Sequence, residues 1–140
     1  MKTARYLNPN ISNEKHLPLR ISLGAPKFAL PYRLTADFRV IAPTTEILQI
    51  DDKDRYRREY RRYLDGIDVI TIQNALNPFR SDEKEIVLLC FEDLRIPCEW
   101  CHRRFFAEWW EEKTGERVHE LEEPALELAA KNETKQMTLF

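Results

Sequence analysis

The chemically dense part of this sequence is one short stretch: Cys90-Phe-Glu92, then Cys98-Glu-Trp-Cys101-His102-Arg103-Arg104. A thiol at the start of a helix sees the positive end of the helix dipole. A neighbouring arginine adds to that field, and both favour thiolate. His102 has the pKa range of a general acid or base, and Glu92 is a carboxylate that can orient it. Free backbone N–H groups at a helix start, together with Arg103, form a candidate anion site. The candidate catalytic set is therefore Cys90, Glu92, Cys101, His102 and Arg103. The same residues have a plainer reading. An inward histidine is often a hydrogen-bonded core residue, and cysteine is among the most buried residue types.

Three sharper motif matches carry less weight, with zinc kept as a minor option. Cys98-Glu-Trp-Cys101-His102 fits the haem-attachment pattern CxxCH, but that attachment belongs outside the cytoplasm. Cys98 to Arg104 has the C-x5-R spacing of cysteine phosphatases. A phosphate loop exposes backbone N–H groups around an oxyanion and favours glycine and small residues, whereas here Glu, Trp, Cys, His and Arg fill the interval. Cys90, Cys98, Cys101 and either His102 or His119 make a Cys3His zinc set on paper. A single CxxC without a second pair is weak support, so the sequence assigns no metal and no cofactor.

The elements around these residues follow from periodicity. Glu85-Ile-Val-Leu-Leu-Cys-Phe91 is a continuous apolar run, expected as a central strand covered on both faces. A loop with Pro97 follows, then a helix from about Trp100 to Lys113, stopped at Gly115. At about 100° per residue His102 lies amid Phe105, Phe106, Trp109 and Trp110, so it points inward, while Arg103 falls at the edge of that face. Residues 51–65 predict a second helix, with Tyr56, Tyr60, Tyr63 and Leu64 on one side and a stop at Gly66. The stretch 67–76 reads as strand or helix. Residues 19–23 alternate as a strand, 38–41 suit a short strand or a first turn, and Val118–Leu121 a last strand. Residues 1–17 read as a polar lead-in. The order predicts an α/β layered single domain with a small, mainly parallel sheet flanked by helices. In such sheets ligands bind at the C-terminal strand ends, where the loop after Phe91 lies.

Composition bounds the function. The chain has 140 residues, 43% hydrophobic and 33% charged, enough for one core and too varied for a rod or collagen. No apolar run reaches the ~18 residues of a membrane span. The first residues lack the apolar stretch of a signal peptide, so the expected location is cytoplasmic, with the three cysteines reduced. A net charge of −2 names no partner. The first fifty residues are net basic and the last thirty net acidic. The five arginines of the 51–65 helix are largely balanced by Asp51, Asp52, Asp54, Glu59 and Asp65 and read as a solvated face.

With these residues in view, the chain resembles the family called domain of unknown function 488. The resemblance rests on Leu88-Leu89-Cys90-Phe91-Glu92, a short loop, then Cys101-His102-Arg103 and Phe106-Ala107-Glu108-Trp109-Trp110. Lys113-Thr-Gly-Glu-Arg-Val118 and Glu120-Leu121 continue it. The looser N-terminal part is carried by Ile21-Ser22-Leu23, Pro26, Pro43 and the Tyr56/Tyr60/Leu64 helix. It covers roughly residues 3–123. The resemblance implies a compact α/β domain with a shared site at the Cys-His-Arg turn and the Cys90/Glu92 strand end, and no activity. Cys98 stands outside the family's pattern, and Lys27 stands near where relatives tend to carry an arginine.

The chain ends in Gln136-Met137-Thr-Leu139-Phe140, which resembles the peptide that bacterial DNA-processing proteins dock on the sliding clamp. Leu139 and Phe140 would be the apolar anchors, Gln136 the directional one, and Met137 the aliphatic position. Residues 1–123 are thus expected as the α/β domain and 124–140 as an acidic and polar tail. Two functions stay open. One is a DNA-associated accessory protein whose Cys-His-Arg site recognises or processes a nucleotide or phosphate-bearing group, recruited by its C-terminus to the clamp. The other is a non-catalytic interaction module whose Cys-His-Arg cluster is structural.

Overall fold

The computed structural model describes residues 1–126. Its centre is a five-stranded, all-parallel sheet. The strands are β1 (Lys2–Arg5), β2 (His16–Arg20), β3 (Ala36–Asp37), β4 (Glu85–Cys90) and β5 (His119–Glu120), in the spatial order β3-β2-β4-β1-β5. This is the α/β layered single domain that the element order predicts. No helix among the described residues is long and apolar enough to cross a membrane.

β4 is central, as its apolar run requires. It pairs with β2 on one side (Ile86 opposite Leu17, Leu88 opposite Leu19) and with β1 on the other (Leu88 opposite Thr3, Leu89 opposite Ala4). The N-terminal residues are therefore not a lead-in. Lys2–Arg5 is an interior strand between β4 and β5, with Thr3 and Ala4 fully buried. β2 also begins earlier than its alternation predicts and contains Pro18. The Pro18 carbonyl accepts from Thr35 N–H on the β3 side, so the missing N–H faces that same edge. β3 pairs there only with Leu19 and Arg20, and no ladder bond is lost.

Four helices follow: α1 (Thr45–Leu48), α2 (Lys53–Ile67), α3 (Val69–Leu76) and α4 (His102–Thr114). All four contribute to the core on one sheet face, where Ile47, Tyr60, Leu64, Ile72, Phe106 and Trp109 pack on Leu19, Ile86 and Leu88. The opposite face, with Ala4, Val87 and Leu89, is covered by Leu30, Tyr32 and Leu34 from a non-helical connection. α2 starts where Asp52 accepts from Arg55 N–H. It runs through Gly66 and stops at Asp68, whose φ of 88° breaks the helix and whose side chain caps α3. The ambiguous stretch after residue 67 is thus helical, with Ile72 and Leu76 one turn apart in the core. Residues 38–41 form neither a strand nor an α-helix. Arg39–Ile41 is a 3-10 turn.

The topology places the site. From β2 the chain leaves toward β3, and from β4 it leaves the opposite way toward β5. Adjacent parallel strands whose connections diverge open a crevice at their C-terminal ends. Ile21 follows β2 at that crevice, and Cys90 ends β4 there.

Candidate functional site

α4 begins with Cys101 as its cap. Cys101 is extended (φ −148°, ψ 147°), and its Sγ accepts from Arg103 N–H at 3.5 Å. His102 opens the first turn and points inward, as the apolar face around it predicts, with 2% of its surface exposed. Its Nε2 lies 3.0 Å from the carbonyl oxygen of Ile21. A carbonyl only accepts, so the ring proton on that side sits on Nε2. Nδ1 then faces two sulfurs, Cys90 Sγ at 3.5 Å and Cys101 Sγ at 3.7 Å. The Tyr60 ring meets the imidazole edge-on at 5.6 Å between centroids, and Tyr60 Oη donates to the Ile41 carbonyl at 2.6 Å.

Glu92 joins the cluster from the other end of the loop. Cys90 Sγ donates to Glu92 Oε2 at 3.2 Å. The group that orients His102 is therefore the Ile21 carbonyl, and the carboxylate of Glu92 engages Cys90 instead. Arg103 is placed differently from an exposed anion ligand. It is fully buried, and its Nε and Nη2 donate to the Glu120 carboxylate at 2.7–3.2 Å. Its Nη1 is buried with no hydrogen-bond partner among the described residues. Glu120 also accepts from Thr3 Oγ1 at 2.7 Å, so β1, β5 and α4 meet at one carboxylate.

The electrostatics are those of a crowded, dry cluster. Burial alone would push the Cys101 thiol up, but the hydrogen bond from Cys90 and the charges of His102 and Arg103 bring it well below the usual thiol range. Burial pushes Cys90 well above that range, and the neighbouring Cys101 adds to the rise. For His102 burial opposes protonation, yet the Cys101 charge outweighs it and raises the imidazole. Burial first, and Cys101 second, raise the Glu92 carboxyl. The arrangement favours charge on Cys101 and protons on Cys90.

A cavity of about 390 Å³ reaches the cluster. Cys101, His102 and Glu92 lie in its wall with Asp51, Tyr56 and Trp100. A neighbouring cavity, which shares Glu99, Trp100 and Cys101, carries Lys53, Arg57 and Arg104. Cys98 is exposed, with φ of 71°, and stands apart from the three clustered donors, as does the exposed His119. Sequence reasoning missed Ile21, Glu120 and Tyr60 as site partners. The Ile21 contact is made by backbone and leaves no residue-type signal. Tyr60 was legible as the buried face of its helix. The clamp-like residues Gln136, Met137, Leu139 and Phe140 lie outside the described residues.

Against protein-family models, curated proteins and solved structures, this chain has no match.

Proposed function

We propose that this chain is a DNA-associated accessory protein with a cysteine nucleophile at the start of α4, beside the end of its central strand. Cys101 Sγ attacks an electrophilic carbon of a ligand in the 390 Å³ cavity. His102 takes the thiol proton at Nδ1 and returns it to the leaving group as the carbon–leaving-group bond breaks. The observation that supports this reading is the 3.7 Å approach of Cys101 Sγ to His102 Nδ1 in the wall of an open crevice.

The ligand class follows from the walls. Trp100 offers an aromatic surface with the buried Tyr56 packed edge-on against it, and Asp51 and Glu92 offer acceptors for exocyclic amines, which suits a nucleobase. Those carboxylates repel phosphate. Lys53 of the adjoining cavity is the cation placed for a phosphate, while Arg57 there is paired with Glu108. Recruitment to DNA is assigned to Gln136, Met137, Leu139 and Phe140 on their resemblance to the clamp-docking peptide.

Alkylation of the reduced protein with iodoacetamide, followed by peptide mass mapping, tests the nucleophile. Exposed Cys98 reports reagent activity. Cys101 is expected to label, more slowly in His102→Gln and more slowly in the presence of nucleosides. Full labelling of Cys98 with Cys101 untouched in folded protein rejects the reading. The burial of His102 and its bond to Ile21 favour a second reading, a polar staple without catalysis. In that case His102→Ala lowers the melting temperature, and nucleosides do not protect Cys101.

A further inference from the structure

Three donor atoms from two elements converge without crossing an exposed surface: Cys90 Sγ, Cys101 Sγ and His102 Nδ1, all within 4.8 Å of one another. The two sulfur-to-nitrogen separations are 3.5 and 3.7 Å. A tetrahedral zinc ion with ordinary Zn–S and Zn–N bonds separates its sulfur and nitrogen ligands by about 3.6 Å. The two sulfur-to-nitrogen separations therefore match edges of such a tetrahedron.

The histidine supplies an independent observation. Metal-ligating histidines characteristically give their other ring N–H to a carbonyl or carboxylate, which fixes the tautomer and aims the lone pair. His102 Nε2 does this with Ile21 at 3.0 Å, leaving Nδ1 directed between the sulfurs. The cluster is buried, and the nearest fixed cation, Arg103, is bound by Glu120. Glu92 lies 3.2 Å from Cys90 Sγ and in the cavity wall, outside the three-donor group but the next carboxylate beside it.

We propose that Cys90, Cys101 and His102 form a binding site for a thiophilic divalent cation of the zinc class, with Glu92 or a cavity ligand in the fourth position. Two thiolates and an imidazole select zinc, cobalt or cadmium over magnesium and calcium, which take oxygen ligands. The site goes beyond the nucleophile reading and meets it at one atom. A cation on Cys101 Sγ draws electron density from the sulfur that would attack, so metal loading is expected to slow alkylation.

The test uses the full chain, reduced and stripped with a chelator, titrated with Zn²⁺ against a chromophoric chelator and separately with Co²⁺. One equivalent of each is expected to bind, and Co²⁺ is expected to show thiolate-to-cobalt charge-transfer absorption. Cys98→Ser is expected to leave affinity unchanged. Cys101→Ser and Cys90→Ser are expected to lose at least about 100-fold, the upper end of what removal of an outer-shell partner costs. Folded wild-type protein that takes up neither ion overturns the site, as does uptake lost in Cys98→Ser but kept in Cys101→Ser. Should a ligand variant fail to fold, the wild-type cobalt spectrum and Cys98→Ser still decide. No zinc uptake with Cys101 alkylation intact removes only the cation site. Zinc uptake with no alkylation of the stripped protein removes only the nucleophile.

Discussion

His102 Nε2 donates to the carbonyl of Ile21 across 3.0 Å, tying the first turn of α4 to the residue just past β2. The bond spans the crevice between the two diverging strands and sets which imidazole nitrogen faces the thiols. Both ends are fully buried. His102→Phe keeps a ring in the same space but leaves the carbonyl without a donor, a loss of about 1–3 kcal/mol. Urea unfolding is the measurement, and a midpoint equal to wild type would mean that the bond adds nothing to stability.

Arg103 and Glu120 behave as one unit. Arg103 is completely buried, and two of its nitrogens are held by a carboxylate that also takes the Thr3 hydroxyl. Removing Glu120 strands the buried Arg103 charge, which costs about 3–5 kcal/mol, and removing Arg103 strands a carboxylate that is only 29% exposed. Glu120→Gln and Arg103→Met are therefore each expected to be strongly destabilising. Arg103→Met/Glu120→Leu together are expected to recover most of the loss. Denaturant midpoints of the three variants measure the coupling, and simple addition of the two single losses would show that the pair is not a unit.

Glu116 gives the fold an acid-sensitive contact. Burial would raise its carboxyl, but Arg80, donating at 2.8 and 3.1 Å, and the Trp110 indole at 2.8 Å hold it below the ordinary glutamate value of 4.5. A carboxylate held down in the folded state contributes stability above its unfolded pKa and loses it as the pH falls through the folded one. The stabilisation is present at neutral pH and declines below 4.5. Glu116→Gln is expected to lower stability at neutral pH and to flatten the decline in acid. Unfolding free energies measured across both ranges check this, and parallel curves for variant and wild type would rule it out.

The legible parts of this molecule were those with long patterns. β4 announces itself by an unbroken apolar run, and the α4 wheel places His102 inward. β1 does not announce itself. Four residues, charged at both ends with Thr3 and Ala4 between, carry no strand signature, and only the parallel pairing with β4 makes them interior. Arg103 sits at the edge of the apolar wheel, yet Glu120, brought in by β5, allows it to be buried. The convergence of Cys90 with Cys101 and His102 was foreshadowed by composition, but their sulfur–nitrogen spacing depends on the loop between them.

The β1 assignment has its own consequence. Ala4 is fully buried opposite Leu89 and packs with Val87 and Leu121. A charge there has no partner in the cluster, so Ala4→Asp is expected to prevent stable folding, whereas Leu7→Asp, at an exposed position just beyond the strand, is expected to be tolerated. Circular dichroism and thermal melts separate the two. A folded Ala4→Asp protein would return the N-terminus to a peripheral role.

The proposed recruitment by the C-terminal peptide can be tested apart from the fold. The last anchored residues of the described chain are Glu123, paired with Arg5 and Arg95, and Pro124, whose carbonyl accepts from Arg95 at 2.9 Å. Removing residues 136–140 leaves these contacts untouched, so the melting temperature is expected to stay at the wild-type value. If Leu139 and Phe140 are the anchors, truncating each to alanine costs about 2 kcal/mol, or roughly 30-fold in affinity. A thermal melt measures the first quantity, and calorimetric titration against a bacterial sliding clamp measures the second. Binding that survives the deletion would remove the C-terminal peptide as the docking element, and no binding by the intact chain would leave the Cys101–His102 crevice to identify its partner unaided.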